Sequence, residues 1–188
     1  MADINSAVTT ALTVDDEAFD VERDGVPLVD LIELFFFAYR DFVGDPDEIL
    51  APIGFGRAHH RVIHFVNRHP GMRVADLLEI LQITKQSLGR VLRELVDEGF
   101  VESRAGEADR RQRLLYPTPK AERLARGFVG IQSKRIARAL DACGPGAQET
   151  VQRFLITMID PEDRDEVERL IQRADRARRA REGAEETP

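Results

Sequence analysis

Between residues 74 and 99 the hydrophobic positions follow two short helical stripes separated by a tight connection. In the first stripe, apolar residues recur at helical spacing, at Val74, Leu77, Leu78 and Leu81. Residues 82–83 form the connection, and Thr84 offers a hydroxyl as N-cap for a second helix over about 85–98. Gly99 suits the left-handed position that ends such a helix. The pattern therefore predicts two consecutive helices joined by a sharp turn.

The second helix has one apolar face and one basic face. Its predicted buried face contains Leu88, Val91, Leu92, Leu95 and Val96. The opposite face contains Lys85, Gln86, Gly89, Arg90 and Arg93. Every long side chain on this face can donate a hydrogen bond to a phosphate or a base edge, and none is acidic. Gly89 has no side chain, so the helix backbone can approach DNA closely.

Two strands with a long basic loop between them follow these helices. Residues 100–104 and 113–116 are predicted to pair as a hairpin, and the connecting loop, 105–112, carries Arg110 and Arg111 at its tip. Arginine suits the minor groove, where negative potential is concentrated. Asp109 would be repelled by phosphate, so we expect it to hold Arg111 through a bidentate pair. Two helices followed by such a hairpin are typical of a winged helix-turn-helix module, which reads DNA.

These residues carry a family resemblance. The runs 84–88 and 95–101, the Asp-Arg-Arg at 109–111 and the Thr-Pro-Lys at 118–120 resemble the MarR family of bacterial regulators. The resemblance implies a homodimer in which the helix from Lys85 reads the major groove and Arg111 reaches the minor groove, with Asp109 as its orienting partner. It also implies a small-molecule pocket beside the DNA module, which we assign to Phe55, His59 and aromatic residues of the helix at 28–43.

Outside this module the sequence predicts further helices and a mainly α fold with a small β-hairpin wing. The stretch 28–43 is apolar around most of its circumference, so it must be covered on two sides, which favours a dimer over a monomer. We divide the chain into a flexible acidic segment (1–27), a dimerisation helix and connection (28–53), the winged helix-turn-helix domain (54–119), C-terminal dimerisation helices (120–177) and a disordered tail (178–188).

The net charge of −7 is unevenly distributed along the chain. Residues 57–126 carry +5, residues 1–56 carry −11 and residues 127–188 carry −1. Phosphate binding depends on the local surface rather than on the total, so the central module remains a suitable DNA-binding unit. The longest apolar run, 34–38, is too short to span a bilayer, and a single cysteine fits a reducing compartment. We therefore expect a cytoplasmic protein without a membrane partner.

Other kinds of site have weaker support. His60 and His64 have the i, i+4 spacing of metal ligands, but neighbouring arginines oppose a dication, so we expect no metal and place these histidines on the surface or along a cleft. Cys143 is predicted at a helix C-terminus, where the dipole does not favour a reactive thiolate. We find no motif of an enzyme and expect no catalytic residue or cofactor. Two alternatives remain: a winged-helix protein-interaction module and a redox- or metal-responsive regulator.

The sequence thus predicts a homodimeric regulator that binds a pseudo-palindromic site on double-stranded DNA, and the family resemblance implies modulation by a small effector. The residues expected to face base edges are Lys85, Gln86, Ser87 and Arg90. Thr84 and Arg93 are expected to bind phosphate, and Arg110 and Arg111 to enter or flank the minor groove.

Overall fold

The computed structural model describes residues 22–23, 25–107 and 109–185, and the chain divides into two units, 1–44 and 45–188. In the first unit, strand β1 (Glu22–Arg23) pairs antiparallel with β2 (Val26–Pro27), a hairpin that the sequence did not predict. The expectation that the chain is flexible before residue 22 lies outside the described residues.

Helix α1 (Leu28–Leu50) begins in the first unit and ends in the second. It continues past its predicted end at Val43 and contains Pro46, which removes the N–H that would bond the carbonyl four residues earlier. Its apolar residues between 29 and 39 are at least 46% exposed: Val29, Leu31, Ile32, Leu34, Phe35, Phe36, Phe37 and Tyr39. A single chain therefore leaves a wide apolar surface uncovered.

The second unit contains the predicted winged helix-turn-helix. A 3₁₀ turn (Ala51–Ile53) leads to α2 (Arg57–Arg68), β3 (Met72–Arg73), α3 (Val74–Leu81), α4 (Lys85–Asp97), β4 (Val101–Ala105) and β5 (Arg113–Pro117). The strands form an antiparallel sheet in the order β3-β5-β4, with Leu115 of β5 paired to Met72 on one side and to Ser103 on the other. The helix-turn-helix and the hairpin are confirmed, whereas β3 was not predicted.

The core of this unit joins α2, α3, α4 and the sheet. Its fully buried residues include Val62, Val66, Leu77, Leu81, Leu88, Val91, Leu95 and Leu115. Val96 was predicted to be buried but is 39% exposed. It lies about 80° around the helix axis from Leu88, at the edge of the apolar stripe, so the neighbouring elements do not cover it.

Three further helices complete the second unit: α5 (Pro119–Cys143), α6 (Ala147–Met158) and α7 (Arg164–Glu185). The Thr118 hydroxyl caps α5 by accepting from the Ala121 amide (3.3 Å), and Pro119 is the first helical residue, as predicted. The predicted disorder from residue 178 is wrong as far as Glu185, because alanine and arginine favour a helix even without an apolar face. Residues 186–188 lie outside the described part.

Within the described residues, no helix combines the length and the apolar character that crossing a bilayer requires.

Candidate nucleic-acid interface

The first turn of α4 is fixed by its own N-cap. The Ser87 amide donates to Thr84 Oγ1 (3.1 Å), and the Thr84 hydroxyl donates to Ser87 Oγ (2.9 Å). The predicted capping role of Thr84 is therefore confirmed. Because its hydroxyl proton is already donated within the turn, the predicted phosphate contact of Thr84 would require that proton to change partner.

The basic face of α4 is exposed and unengaged. Its polar residues are all exposed: Lys85, Gln86, Ser87, Arg90 and Arg93. No hydrogen bond or ion pair joins Lys85, Arg90 or Arg93 to another described side chain. Several arginines elsewhere are held by carboxylates, namely Arg57, Arg68, Arg73, Arg104 and Arg135. The cations of α4 are thus available to an external anion.

The C-terminal end of α4 is held by the start of α5. Lys120 Nζ donates to the Glu98 carbonyl (2.8 Å) and lies 4.0 Å from the centre of the Phe100 ring. The Thr118 hydroxyl donates to the Gly99 carbonyl (2.8 Å). Gly99 has φ +67°, the left-handed conformation predicted for it. The sequence assigned no such role to Lys120, because the contact joins residues 22 positions apart.

A buried histidine fixes α4 to α2. The Gly56 amide donates to His59 Nδ1 (3.2 Å), so the ring proton is on Nε2, which donates to Glu94 Oε2 (2.7 Å). The Phe55 ring stacks on His59, with centroids 4.2 Å apart. Phe55 and His59 are 9% and 8% exposed, so these two rings fill the core beside α4. The effector pocket that we assigned to them stays a prediction.

The wing loop is shaped by backbone contacts rather than by the predicted ion pair. Asp109 Oδ1 accepts from the Arg111 amide (2.9 Å), and no ion pair joins the two side chains in the described structure. A carboxylate can bond the amide two residues later with little loss of side-chain conformational freedom. This local hydrogen bond takes the place of the predicted bidentate pair between Asp109 and Arg111. The Gly106 and Gln112 amides close the loop by donating to the Gln112 and Asp109 carbonyls, each at 3.0 Å. Arg110 and Arg111 are exposed.

Two other arginines hold the wing strands together. Arg104 lies 4.4 Å above the Tyr116 ring centre and bonds Glu102. Arg113 donates to the Ser103 carbonyl (2.6 Å) and hydroxyl (3.0 Å). Cross-strand neighbours depend on the register, so the sequence did not identify these contacts. They give the wing a stiff base from which Arg110 and Arg111 project.

The histidines of α2 are more buried than predicted. His60 is only 6% exposed, both its ring nitrogens have no hydrogen-bond partner among the described groups, and its ring packs edge-on against Phe128 (4.8 Å). The prediction of a surface or cleft position is therefore wrong for His60, because α5 covers that face of α2. Burial lowers the pKa of His60, and Asp47 partly opposes this shift. Burial, together with the charges of His60, Arg68 and His69, lowers the pKa of His64 to about 4.

The described residues contain no cluster of metal ligands, and the cysteine among them is not buried. No three His, Cys, Asp or Glu side chains there are arranged to hold a metal ion. Cys143 is exposed and is the last residue of α5, so it lies at the helix end that the sequence predicted.

Known proteins share both this fold and part of this sequence. A model described as the MarR family matches residues 53–112. The HTH-type transcriptional regulator PetP of Rhodobacter capsulatus is 50% identical over 130 residues, which cover 69% of this chain and 78% of the relative. A MarR protein from Peptoclostridium difficile has the same fold, with a TM-score of 0.60 and 16% identity over 69% of this chain and 84% of that one.

Staphylococcus aureus MepR, solved in a DNA-binding conformation, is another structural neighbour. Its TM-score is 0.61 at 17% identity, and the match covers 69% of this chain and 96% of MepR. At that identity the likeness shows the fold, whereas the family model and the 50% identical regulator show the relationship. The chain belongs to the MarR family of transcriptional regulators.

Proposed function

We propose that this regulator is a cytoplasmic homodimer that binds a pseudo-palindromic operator on double-stranded DNA and is not an enzyme. The observation that carries the proposal is that the cations of α4 are exposed and unpaired, whereas several arginines on other helices are paired with carboxylates. Control by a small effector belongs to the same proposal and is supported by family membership alone.

In the proposed complex α4 lies in the major groove, where each base pair presents a distinct pattern of donors and acceptors. Arg90 can bond a guanine through two nitrogens, and Gln86 can bond an adenine in the same way. Lys85 and Ser87 face neighbouring base edges. Thr84 and Arg93 contact phosphates on either side of the groove, and Arg110 and Arg111 of the wing enter or flank the minor groove.

The dimer is supported separately by apolar surfaces in each unit. In the first unit, the apolar side chains of α1 between 29 and 39 are 46–68% exposed. In the second unit, α6 exposes Phe154 (50%), Leu155 (48%) and Met158 (55%). Monomeric proteins rarely leave such contiguous apolar patches uncovered. A two-fold dimer covers them with a second copy and places two α4 helices about one DNA turn, or roughly 34 Å, apart.

Substitution of Arg90 by alanine tests the major-groove role. We expect specific affinity to fall by about 1–3 kcal/mol per half-site and the preference at one base position of each half-site to relax, because each subunit of the proposed dimer loses one bidentate contact. Mobility-shift titrations against a panel of single-base operator variants measure both effects. Arg153→Ala on α6, which also removes an exposed arginine, is the control. Unchanged affinity and unchanged base preference in Arg90→Ala would exclude this role.

Two substitutions of Asp109 separate loop shaping from charge. Asp109→Asn keeps the oxygen that accepts from the Arg111 amide and removes the negative charge, so we expect binding as tight as wild type or tighter. Asp109→Ala loses the acceptor, frees the loop and is expected to bind specific and random DNA more weakly, by roughly 1 kcal/mol. Fluorescence anisotropy across a salt series measures both variants. If the asparagine and alanine variants behave alike, Asp109 does not act through this hydrogen bond.

A further inference from the structure

The second half of α7 docks on the DNA-reading module of its own chain. Arg68, the last residue of α2, donates from Nη2 to Asp175 Oδ1 of α7 (3.2 Å). Next to this pair, Ala174 is only 5% exposed, so the helix is packed at this point and not merely tethered. The contact fixes the segment around residue 174 beside the junction of α2 with β3 and α3.

The charge of α7 changes sign along the helix. Its first five residues, 164–168, contain three acidic residues and one arginine, whereas residues 169–180 contain five arginines and one acidic residue, Asp175. The helix dipole favours this order of charges, but it does not account for the docking of the basic half on the module. Asp175, the one acidic residue of this basic half, is already paired with Arg68.

Three of these arginines share the outward side of α7. Arg173, Arg176 and Arg179 are exposed, and at three-residue spacing they lie within an arc of about 120° centred opposite Ala174. No hydrogen bond or ion pair joins their side chains to other described groups. They have the same exposed, unpaired state as the cations of α4.

The charge of Arg173 reaches the module itself. Hydrogen bonding to Arg73 is the main cause that lowers the pKa of Asp76 in the first turn of α3, and the charge of Arg173 adds to it. Burial, followed by the charges of Arg68 and Arg173, lowers the pKa of His69 just after α2. The charge of Arg173 therefore acts on the start of α3, and in helix-turn-helix complexes this first helix crosses the DNA backbone.

We propose that α7 extends the DNA-binding surface of the module, with Arg173, Arg176 and Arg179 binding phosphates of the DNA that flanks the half-site read by α4. The proposal rests on the proposed function, since it requires that α4 bind DNA. Contacts of this kind release counterions and carry no sequence information, so they raise affinity for any duplex that is long enough to reach them.

The test uses the full-length protein and a duplex selected by the wild-type protein from a random library, with a scrambled duplex of equal length. In the triple variant Arg173→Gln/Arg176→Gln/Arg179→Gln, glutamine keeps the helix propensity and removes the charge. Because each of the two subunits loses three phosphate contacts, we expect the slope of log affinity against log salt to fall by about 5 units on both duplexes, with unchanged sequence preference. On a duplex trimmed to the two half-sites, the variant and the wild type should have equal slopes. Arg153→Gln, which removes one positive charge from α6, is the control and should leave every slope unchanged.

A second set of variants tests the docked position of α7. Asp175→Arg makes the protein more positive, so a simple charge effect would tighten binding. If the substitution instead undocks α7, the slope of log affinity against log salt should fall. The exchange Arg68→Asp/Asp175→Arg restores the pair and should restore the slope. An unchanged slope in the triple Gln variant on the long duplex would overturn the proposal while leaving the binding by α4 intact. If no duplex binds the wild type above the background of the random library, the proposed function itself fails.

Discussion

Replacing Phe36 with aspartate is expected to turn the dimer into a monomer and to weaken operator binding by about 10³-fold or more, toward the level of non-specific binding. Phe36 is 68% exposed in the single chain, and it lies in the middle of the apolar surface of α1. A carboxylate that is buried there without a partner would cost several kcal/mol, and that cost would be paid twice in a two-fold dimer. Light scattering at micromolar concentration gives the mass, and mobility shifts give the affinity.

A conservative variant separates assembly from folding in this experiment. Phe36→Leu keeps an apolar side chain at the same position and should remain dimeric and bind the operator. Circular dichroism of Phe36→Asp should show that its helices persist, because residue 36 makes its proposed contacts across the interface. A wild-type protein that is monomeric at this concentration with its fold intact, or a Phe36→Asp variant that remains dimeric, would contradict the proposed interface.

Local signals are what made the helix-turn-helix predictable. The start and the end of α4 follow from the Thr84 cap and the left-handed Gly99, and its inward face follows from the spacing of Leu88, Val91 and Leu95. These features act over a few residues, so neighbouring residue types determine them. The same holds for the Thr118-Pro119 start of α5.

Contacts between distant elements were not visible in the sequence. Strand β3 has only two residues, and its pairing with β5 exists because the rest of the sheet presents an edge. The burial of His60 depends on Phe128, which is 68 positions away and lies on the helix that covers it. In the wing the actual contact is more local than the predicted one, because Asp109 accepts from the nearby Arg111 amide instead of pairing with the Arg111 side chain.

Mild acid is expected to destabilise the fold through the histidines of α2. The unfolded chain binds a proton at an ordinary histidine pKa of 6.5, whereas burial, with the nearby charges of His60, Arg68 and His69, lowers the pKa of His64 in the folded state to about 4. As the pH falls below 6.5, the unfolded state therefore takes up protons first and is favoured. The stability that depends on a neutral His64 is fully present above pH 6.5 and is lost progressively down to about pH 4. His60 and His69 shift in the same direction.

For His64 alone, this difference in pKa corresponds to a loss of about 2 kcal/mol in the free energy of unfolding between pH 8 and pH 5. The variant His64→Gln has no proton to bind at this position, so its free energy of unfolding should fall less steeply over the same range. Comparison at pH 8, where the imidazole is neutral in both states, isolates the packing cost of the substitution. Urea unfolding at one fixed protein concentration measures both proteins, since the stability of a dimer depends on concentration. Below pH 4 the protonation of carboxylates also lowers the free energy of unfolding. One of these carboxylates is Asp76, whose pKa is lowered mainly by its bond to Arg73. The decisive range is therefore pH 5 to 8, where parallel curves for the wild type and His64→Gln would show that His64 is not the group that takes up the proton.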